Sequence, residues 1–440
     1  MPLNNRSLAL AAIFAAITQL GASGAALADD AVTISYLTHW PPETVAKLND
    51  AISRYSKDHP SVKIQVHAVP FGDLLTTIRS QAGGANAPTI AGIYDLWLPE
   101  LVRDHIVAEA PADVSADVGK EWPGSAASAS SVAAKVFGYP NEIDLYALNY
   151  NKKLFAAAGI AAPPKTWDEF TADAKKLSKQ DGGRVTQQGF GFINSWAAGV
   201  VHPFASLLAS NGGSLIVDGK AALDTKQAKE TFALVQKLIE DKSSDAAMGT
   251  ADANTTGPFL DNFVGGKTAM IIMANWWESA LHTGMGDAGF ADIATAPIPV
   301  GPSGDASHAI SYTWLNVVSA SASDAQKKAA WEFLAWLDGP TSGGNGASAM
   351  GDILQSMGIL PSRKTDVGAF AQRLSTPFLA GYVGQLQNAR PFPAVLGGQE
   401  FTESLQHHLE AVQFGKETAD AASEAAQKDA AAILSKAAAH

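Results

Sequence analysis

Beyond a short N-terminal leader, strand and helix patterns alternate without a break, and that alternation restricts the possible folds more than any other feature. Val32–Leu37 reads as a strand, and Glu43–Asp58 follows as a helix with Val45, Leu48, Ile52 and Tyr55 on one stripe. Val62, Ile64, Val66 and Ala68 then alternate with Lys63, Gln65 and His67, the pattern of a half-buried strand. Asp73–Gln81 and Leu98–Asp104 predict helices on either side of a third strand, Thr89–Tyr94. Such alternation needs crossover connections, and these build a parallel sheet covered on both faces. The theme returns later, with amphipathic helices at Lys226–Lys242 and Asp324–Leu337 and strands at Thr268–Met273, Asp292–Ala296 and Ser311–Val318. About 410 residues exceed what one core usually holds, so two α/β lobes are expected. The Ala-rich stretch Ala419–Ala438 has strong helix propensity and is expected to dock as helix.

Residues 1–28 read as a signal peptide. Arg6 supplies a basic start, Leu8–Leu20 an apolar stretch, and Ala26-Leu27-Ala28 a small-x-small cleavage site before Asp29. The apolar stretch is shorter than the roughly 20 residues that span a bilayer. An exported mature chain is therefore expected, and the periplasm is its expected compartment. The sequence contains no cysteine, which leaves no residue for an N-terminal lipid anchor, and a core of this size needs no disulfides. Cleavage takes the formal charge from −12 to about −13. That acidity argues against a nucleic-acid partner, which selects clustered Lys and Arg, and favours a neutral ligand over an anionic one.

The stretch Phe137–Phe170, FGYPNEIDLYALNYNKKLFAAAGIAAPPKTWDEF, carries a denser set of signals. Asp144–Tyr150 alternates as a strand, and Lys152–Ala158 reads as a short helix closed by Gly159 in a left-handed cap. Pro163-Pro164 break the chain, and Thr166-x-x-Glu169 opens a new helix as a capping box. In this order the segment closely resembles the middle of the extracellular solute-binding proteins (family 1, maltose-binding-protein-like) that serve carbohydrate ABC importers. Four further stretches carry the same resemblance in family order: Leu207–Lys220, Phe263–Trp277, Ala329–Asp338 and Gly358–Arg363.

The resemblance implies a two-lobed periplasmic binding protein fold, each lobe a mostly parallel sheet flanked by helices and joined by a multi-strand hinge. It places residues 29–142 and 298–344 in the N-terminal lobe and residues 143–297 and 345–440 in the C-terminal lobe. It also implies that the chain crosses between lobes near Asn141–Ala147 and again near Pro297–Ser311. The implied function is a sugar receptor that hinges shut on its ligand and hands it to membrane permease subunits. A monomer without cofactor or metal is expected. The alternatives are a receptor for a polyol, a glycerol-phosphodiester or another polar metabolite, and a secreted glycan-degrading enzyme.

Sugars offer apolar C–H faces and a ring of hydroxyls, so a site needs aromatic platforms beside planar hydrogen-bonding groups. Open α/β sheets bind ligands at strand ends. His39 and Trp40 follow the first strand, and Asp95 ends the third. Asn141, Glu142 and Asp144 lie on or beside the crossing strand, with Glu142 and Asp144 on one face of a regular strand. A glycosidase pair would instead flank the scissile bond from opposite sides, ~5–9 Å apart. Asn275 and Trp276 follow the strand at Thr268–Met273; Trp276 is expected as a stacking platform, with Trp277 turned into the lobe. Tyr312 and Trp314 follow the return crossing, and Asn194, Trp196 and Arg363 complete the candidates. Trp167, Trp331 and Trp336 sit at packing positions, and no histidine shows metal-ligand spacing. Gly265-Gly266-Lys267-Thr268 imitates a phosphate loop but enters a strand, and Gly189-x-Gly191 lacks the third glycine of a dinucleotide fingerprint.

Overall fold

The computed structural model describes residues 31–251 and 256–439; the expected signal peptide lies outside the described residues. Val32–Thr38 and Val62–Ala68 pair in parallel from Val32 opposite Val62 to Thr38 opposite Ala68, and Ile90–Tyr94 joins the other edge of the first strand, also parallel. Helix Pro42–Asp58 buries Leu48, Ile52 and Tyr55, three of the four residues of its expected stripe. Here period and fold agree, because an apolar stripe along one side of a helix has to be buried against its neighbours.

Two antiparallel strands then tie the molecule together. The crossing strand, Gly138–Asn151, runs for 14 residues. Its first half pairs with the return strand, Ile310–Val318, and its second half with Thr268–Ala274 and Ile293–Ala296. The return strand in turn pairs antiparallel with Ile90–Tyr94. One continuous path of hydrogen-bonded strands therefore runs from Val62–Ala68 through this pair to Arg184–Gly191 and Lys179–Asp181.

The crossing strand is twice as long as its alternation predicted. Gly138, Pro140 and Asn141 are poor strand formers, and they conceal its first half. Pairing overrides them. The register slips between Trp314 and Leu315, so that Trp314 faces Glu142 and Leu315 faces Pro140. Asn141 is thereby left at a bulge, which bends the strand and increases its twist. Gly138 is required by close approach, since a Cβ there would lie 2.6 Å from the carbonyl oxygen of Asn316.

Two cores fill the molecule. One gathers Ile34, Leu48, Tyr55, Trp122, Trp331 and Phe333 on the outer face of the first strands. It also takes in Met350, Ile353 and Leu354 of helix Ala349–Met357. That helix packs on Pro42–Asp58, so it does not follow the expectation that everything beyond residue 345 packs on the second lobe. The other core runs from Leu74, Ile93 and Trp97 across Tyr146 and Trp314 to Phe204, Phe232 and Tyr382. The C-terminal helices Gly398–Gln413 and Ala419–Ala438 pack on each other and on Ala197–Ser210 and Lys226–Glu240. The Thr166 cap forms as expected, with the Glu169 amide donating to its hydroxyl at 3.3 Å; the Glu169 carboxylate reaches one residue further back, to the Lys165 amide at 2.6 Å.

Candidate functional site

Register along the crossing strand assembles the site. Glu142 lies opposite Trp314, and Asp144 opposite Tyr312. Trp314 is also opposite Tyr94, so Glu142, Trp314 and Tyr94 form one row across three strands. Side chains two apart on a strand share a face, which adds Tyr146 to Glu142 and Asp144. Helix Ala197–Ser210 covers this face, with His202 between two hydroxyls: Tyr94 Oη at 2.8 Å from Nε2 and Tyr146 Oη at 3.1 Å from Nδ1. Burial pulls the His202 pKa down to about 3, so the ring is neutral.

Around these rows the aromatic rings lie close together. His39 stacks on Trp314 with centroids 4.2 Å apart, and Tyr94 meets Tyr312 edge-on at 5.1 Å. On the other side, Trp276 donates its indole N–H to Tyr312 Oη at 2.7 Å and meets Trp196 edge-on at 5.8 Å. Trp276 stays half-buried, whereas Trp277 is 1 % exposed, packs on Phe263 and donates to Asn149 Oδ1 at 3.2 Å. The two side chains diverge as expected.

The acids sit inside this aromatic frame. Asp95, Glu142 and Asp144 are 4 %, 3 % and 1 % exposed. Asp95 Oδ2 accepts from the Thr313 amide at 3.0 Å, and Asp144 Oδ1 accepts from Asn275 Nδ2 at 3.2 Å. Asp95 Oδ1, Glu142 Oε2, Asp144 Oδ2 and Asn141 Oδ1 have no hydrogen-bond partner. Burial raises the Asp95 pKa to about 8, against the hydrogen bonds from Thr313 and Leu96. It raises Asp144 to about 7, opposed by hydrogen bonds from Glu142, Asn275 and Tyr312. Glu142 is pushed well above the usual range by burial first and then by the neighbouring Asp144 charge. Buried polar atoms are nearly always paired, and unpaired oxygens on the neighbouring acids Asp95, Glu142 and Asp144 mark surface able to meet something else.

Not every candidate belongs here. Arg363 is packed away from these strand faces: it donates to the Asp338 carbonyl oxygen at 2.8 Å, pairs with Asp117 at 3.5 Å and lies over the Trp122 ring at 4.8 Å. Its fork is used up inside the first core. Trp40 is buried in that same core beside Tyr36, the packing outcome for a residue following a strand. Asn194 donates to the Ala246 carbonyl oxygen at 2.7 Å and accepts from the Ser195 hydroxyl at 3.2 Å, so its side chain fixes a loop. Asn275 braces the crossing strand, accepting from the Leu145 amide at 2.8 Å while donating to Asp144.

Three residues of the cluster went unread. Tyr146 was available from the same alternation that paired Glu142 with Asp144. His202 and Phe392, whose rings lie 4.4 Å apart, come from distant segments and carry no local signal. A separate cavity of about 320 Å³, lined by Arg184, Lys242, Asp245, Gln413 and Phe414 among others, contains none of the strand residues above. Among the unpaired buried oxygens of the described residues, its lining holds Gln413 Oε1 and none of those on Asp95, Glu142 and Asp144.

Comparison with known proteins adds a family match, two relatives and two solved structures. The model of the bacterial extracellular solute-binding protein family matches residues 40–343. A putative binding protein of Brucella abortus is 25 % identical over 382 residues, covering 87 % of this chain and 88 % of that protein. The diacetylchitobiose binding protein DasA of Streptomyces coelicolor is also 25 % identical, over 79 % of this chain and 77 % of its own. Among solved structures, the GacH receptor of Streptomyces glaucescens, determined unliganded and with acarbose, superposes with a TM-score of 0.78 at 19 % identity, covering 92 % of this chain and 98 % of that one. The cyclic α-maltosyl-1,6-maltose binding protein of Arthrobacter globiformis gives 0.74 at 22 % identity, over 92 % and 99 %.

Proposed function

Because this chain belongs to the bacterial extracellular solute-binding protein family, we propose that it is the substrate-binding receptor of an ABC importer and that it captures a sugar. The observation that carries the reading is the strand face itself. Aromatic rings of Trp276, Trp314, Tyr312 and Tyr94 surround oxygens of Asp95, Asn141, Glu142 and Asp144 that have no partner within the protein. Rings suit the C–H faces of a pyranose, and unpaired acceptors suit its hydroxyls. Similar proteins carry names that fit, among them a diacetylchitobiose binding protein and a galactooligosaccharide-binding protein. This favours a sugar over a polyol or a glycerol-phosphodiester.

The crossing strand that bears Asn141, Glu142 and Asp144 also joins the lobes, so closure and ligand contact are one event. A ligand touched from both sides in the closed form and from one side in the open form shifts the population toward closure. The closed form is the one offered to the permease subunits. Export through a cleaved leader would put the receptor in the periplasm, where it works free of a lipid anchor and as a monomer. Among the described residues no helix is long and apolar enough to cross a membrane.

The glycan-degrading alternative fits the geometry less well. Glu142 and Asp144 lie two apart on one strand face, whereas a hydrolase acid and base stand on opposite sides of the bond.

A sugar panel tests the proposal. Binding should alter tryptophan emission and raise Tm, since ligand binds only the native state. Flat signals across mono- and oligosaccharides would remove the carbohydrate reading, and turnover of a bound glycan would replace the receptor by an enzyme.

A further inference from the structure

The sequence-level charge argument favours a neutral ligand, but the site has a different balance. Resting on the carbohydrate reading above, we propose that the sugar carries a protonated amine, seated among Asp95, Glu142 and Asp144.

The first argument is a count of hydrogen bonds. Four buried oxygens on Asp95, Asn141, Glu142 and Asp144 lack donors. Asn141, uncharged and 5 % exposed, shows that the demand is for donors as well as for charge. A sugar hydroxyl donates once, whereas an ammonium donates three times and accepts nothing. Seating one ammonium satisfies most of the set at a stroke, and charge-assisted hydrogen bonds are roughly twice as strong as neutral ones.

The second argument is charge. Among the described residues, no lysine or arginine pairs with any of the three acids. Every other titratable group facing them is neutral. Tyr94 comes from the third strand, Tyr146 from the crossing strand and Tyr312 from the return strand, all with phenols pushed up by burial. His202 from the covering helix and His39 from the first loop are both held neutral by burial. Trp314 lies opposite Glu142 and Trp276 bonds Tyr312, and indole is the best cation-π partner of the aromatic side chains. Acids without a base, framed by indole, complement a cation.

Protons complete the account. Without a cation the buried acids retain protons near neutral pH, and a bound ammonium takes the place of one. Binding should therefore release protons, and affinity should rise from about pH 5 to about pH 7 while the sugar amine remains charged.

The experiment is calorimetric titration of the full mature protein with three matched pairs: glucose and glucosamine, galactose and galactosamine, cellobiose and chitobiose. At least one amine should bind tenfold or more tighter than its hydroxyl partner, with proton release in buffers of differing ionisation enthalpy. In Glu142→Gln and Asp144→Asn, checked for native melting, the ratio of the two affinities should fall toward one. Equal affinities within every pair, or a ratio that both variants leave intact, overturn the amine proposal and leave the carbohydrate reading standing. No binding of any of the six overturns both.

Discussion

Two groups of acids in this protein lie near the same crossing strand and differ by a single cation. In the first core, Arg363 pairs with Asp117 and Glu121, bonds the Asp338 carbonyl and covers Trp122, while Trp122 donates to Ser362 Oγ at 3.0 Å and Ser362 to the Pro140 carbonyl at 2.8 Å. Burial still holds Asp338 well above the usual carboxyl range, with Arg363 acting against it. At the strand face, Asp95, Glu142 and Asp144 have tyrosines and tryptophans around them and no base. The first cluster has its own cation in Arg363, although Asp338 Oδ2 there also lacks a hydrogen-bond partner. The other is left with acceptors to spare, and that deficit is what a ligand can fill. Burial alone does not separate a structural from a functional acid; whether its partners come from the same chain does.

The sharpest way to break the comparison is Arg363→Ala. Arg363 is buried, and removing it takes away the cation-π contact with Trp122 and the hydrogen bond to the Asp338 carbonyl, which costs about 3 kcal/mol. Urea denaturation should show that loss; an unchanged midpoint would mean that the first cluster is not structural. Trp277→Ala should be of similar size, ~3–5 kcal/mol, since it empties a fully buried site.

Trp276→Ala is the contrasting variant. It should remove about 2 kcal/mol or more of binding, as buried interface aromatics do. Its melting curve should stay near native, losing only the hydrogen bond to Tyr312. A destabilised fold with intact affinity would exchange the roles of the two tryptophans.

Glu142→Ala and Asp144→Ala should each cost about 1.5–3 kcal/mol of sugar affinity, the range for hydrogen bonds to charged groups. Wild-type affinity in both would move the site off the crossing strand. Asp95→Ala should lose affinity and also some stability, because Asp95 holds the Thr313 amide.

The smallest effect is a pH slope. Asp95 and Asp144 have folded pKa values of about 8 and about 7, above their unfolded values. The folded protein then binds more protons than the unfolded chain between about pH 4 and about pH 8, so stability falls as pH rises through that window. Asp144→Asn should flatten the slope in chemical denaturation. A slope that survives in both Asp144→Asn and Asp95→Asn would assign it to other groups.

Much of this was legible in advance. The lobe-forming strands and helices follow their hydrophobic periods, and the helix Asp324–Leu337 and the C-terminal helix Ala419–Ala438 fall where their composition put them. The placement of Glu142, Asp144, Trp276 and Tyr312 was readable because each lies at a strand end or on an alternating face. The first half of the crossing strand was hidden by Gly138 and Pro140, whose local preferences oppose a strand that only its partners stabilise. Helix Ala349–Met357 packs on the first lobe because its apolar face finds Pro42–Asp58, a match that no local signal encodes.

By itself, then, the sequence determined the elements and the residue types that could bind a sugar, since periodicity and turn chemistry are properties of neighbouring residues. The tertiary structure decided which candidates act together. Arg363 and Glu142 are both buried charges on short polar stretches, and nothing within those stretches separates them. The difference arises from contacts between residues far apart in the chain: Arg363 finds Asp117 and Glu121, more than 240 positions away, whereas Glu142 faces Trp314 across the return strand and keeps an oxygen free. Such pairings exist only once the strands are in register, because desolvation and partner satisfaction are set by what the folded chain brings within a few ångströms.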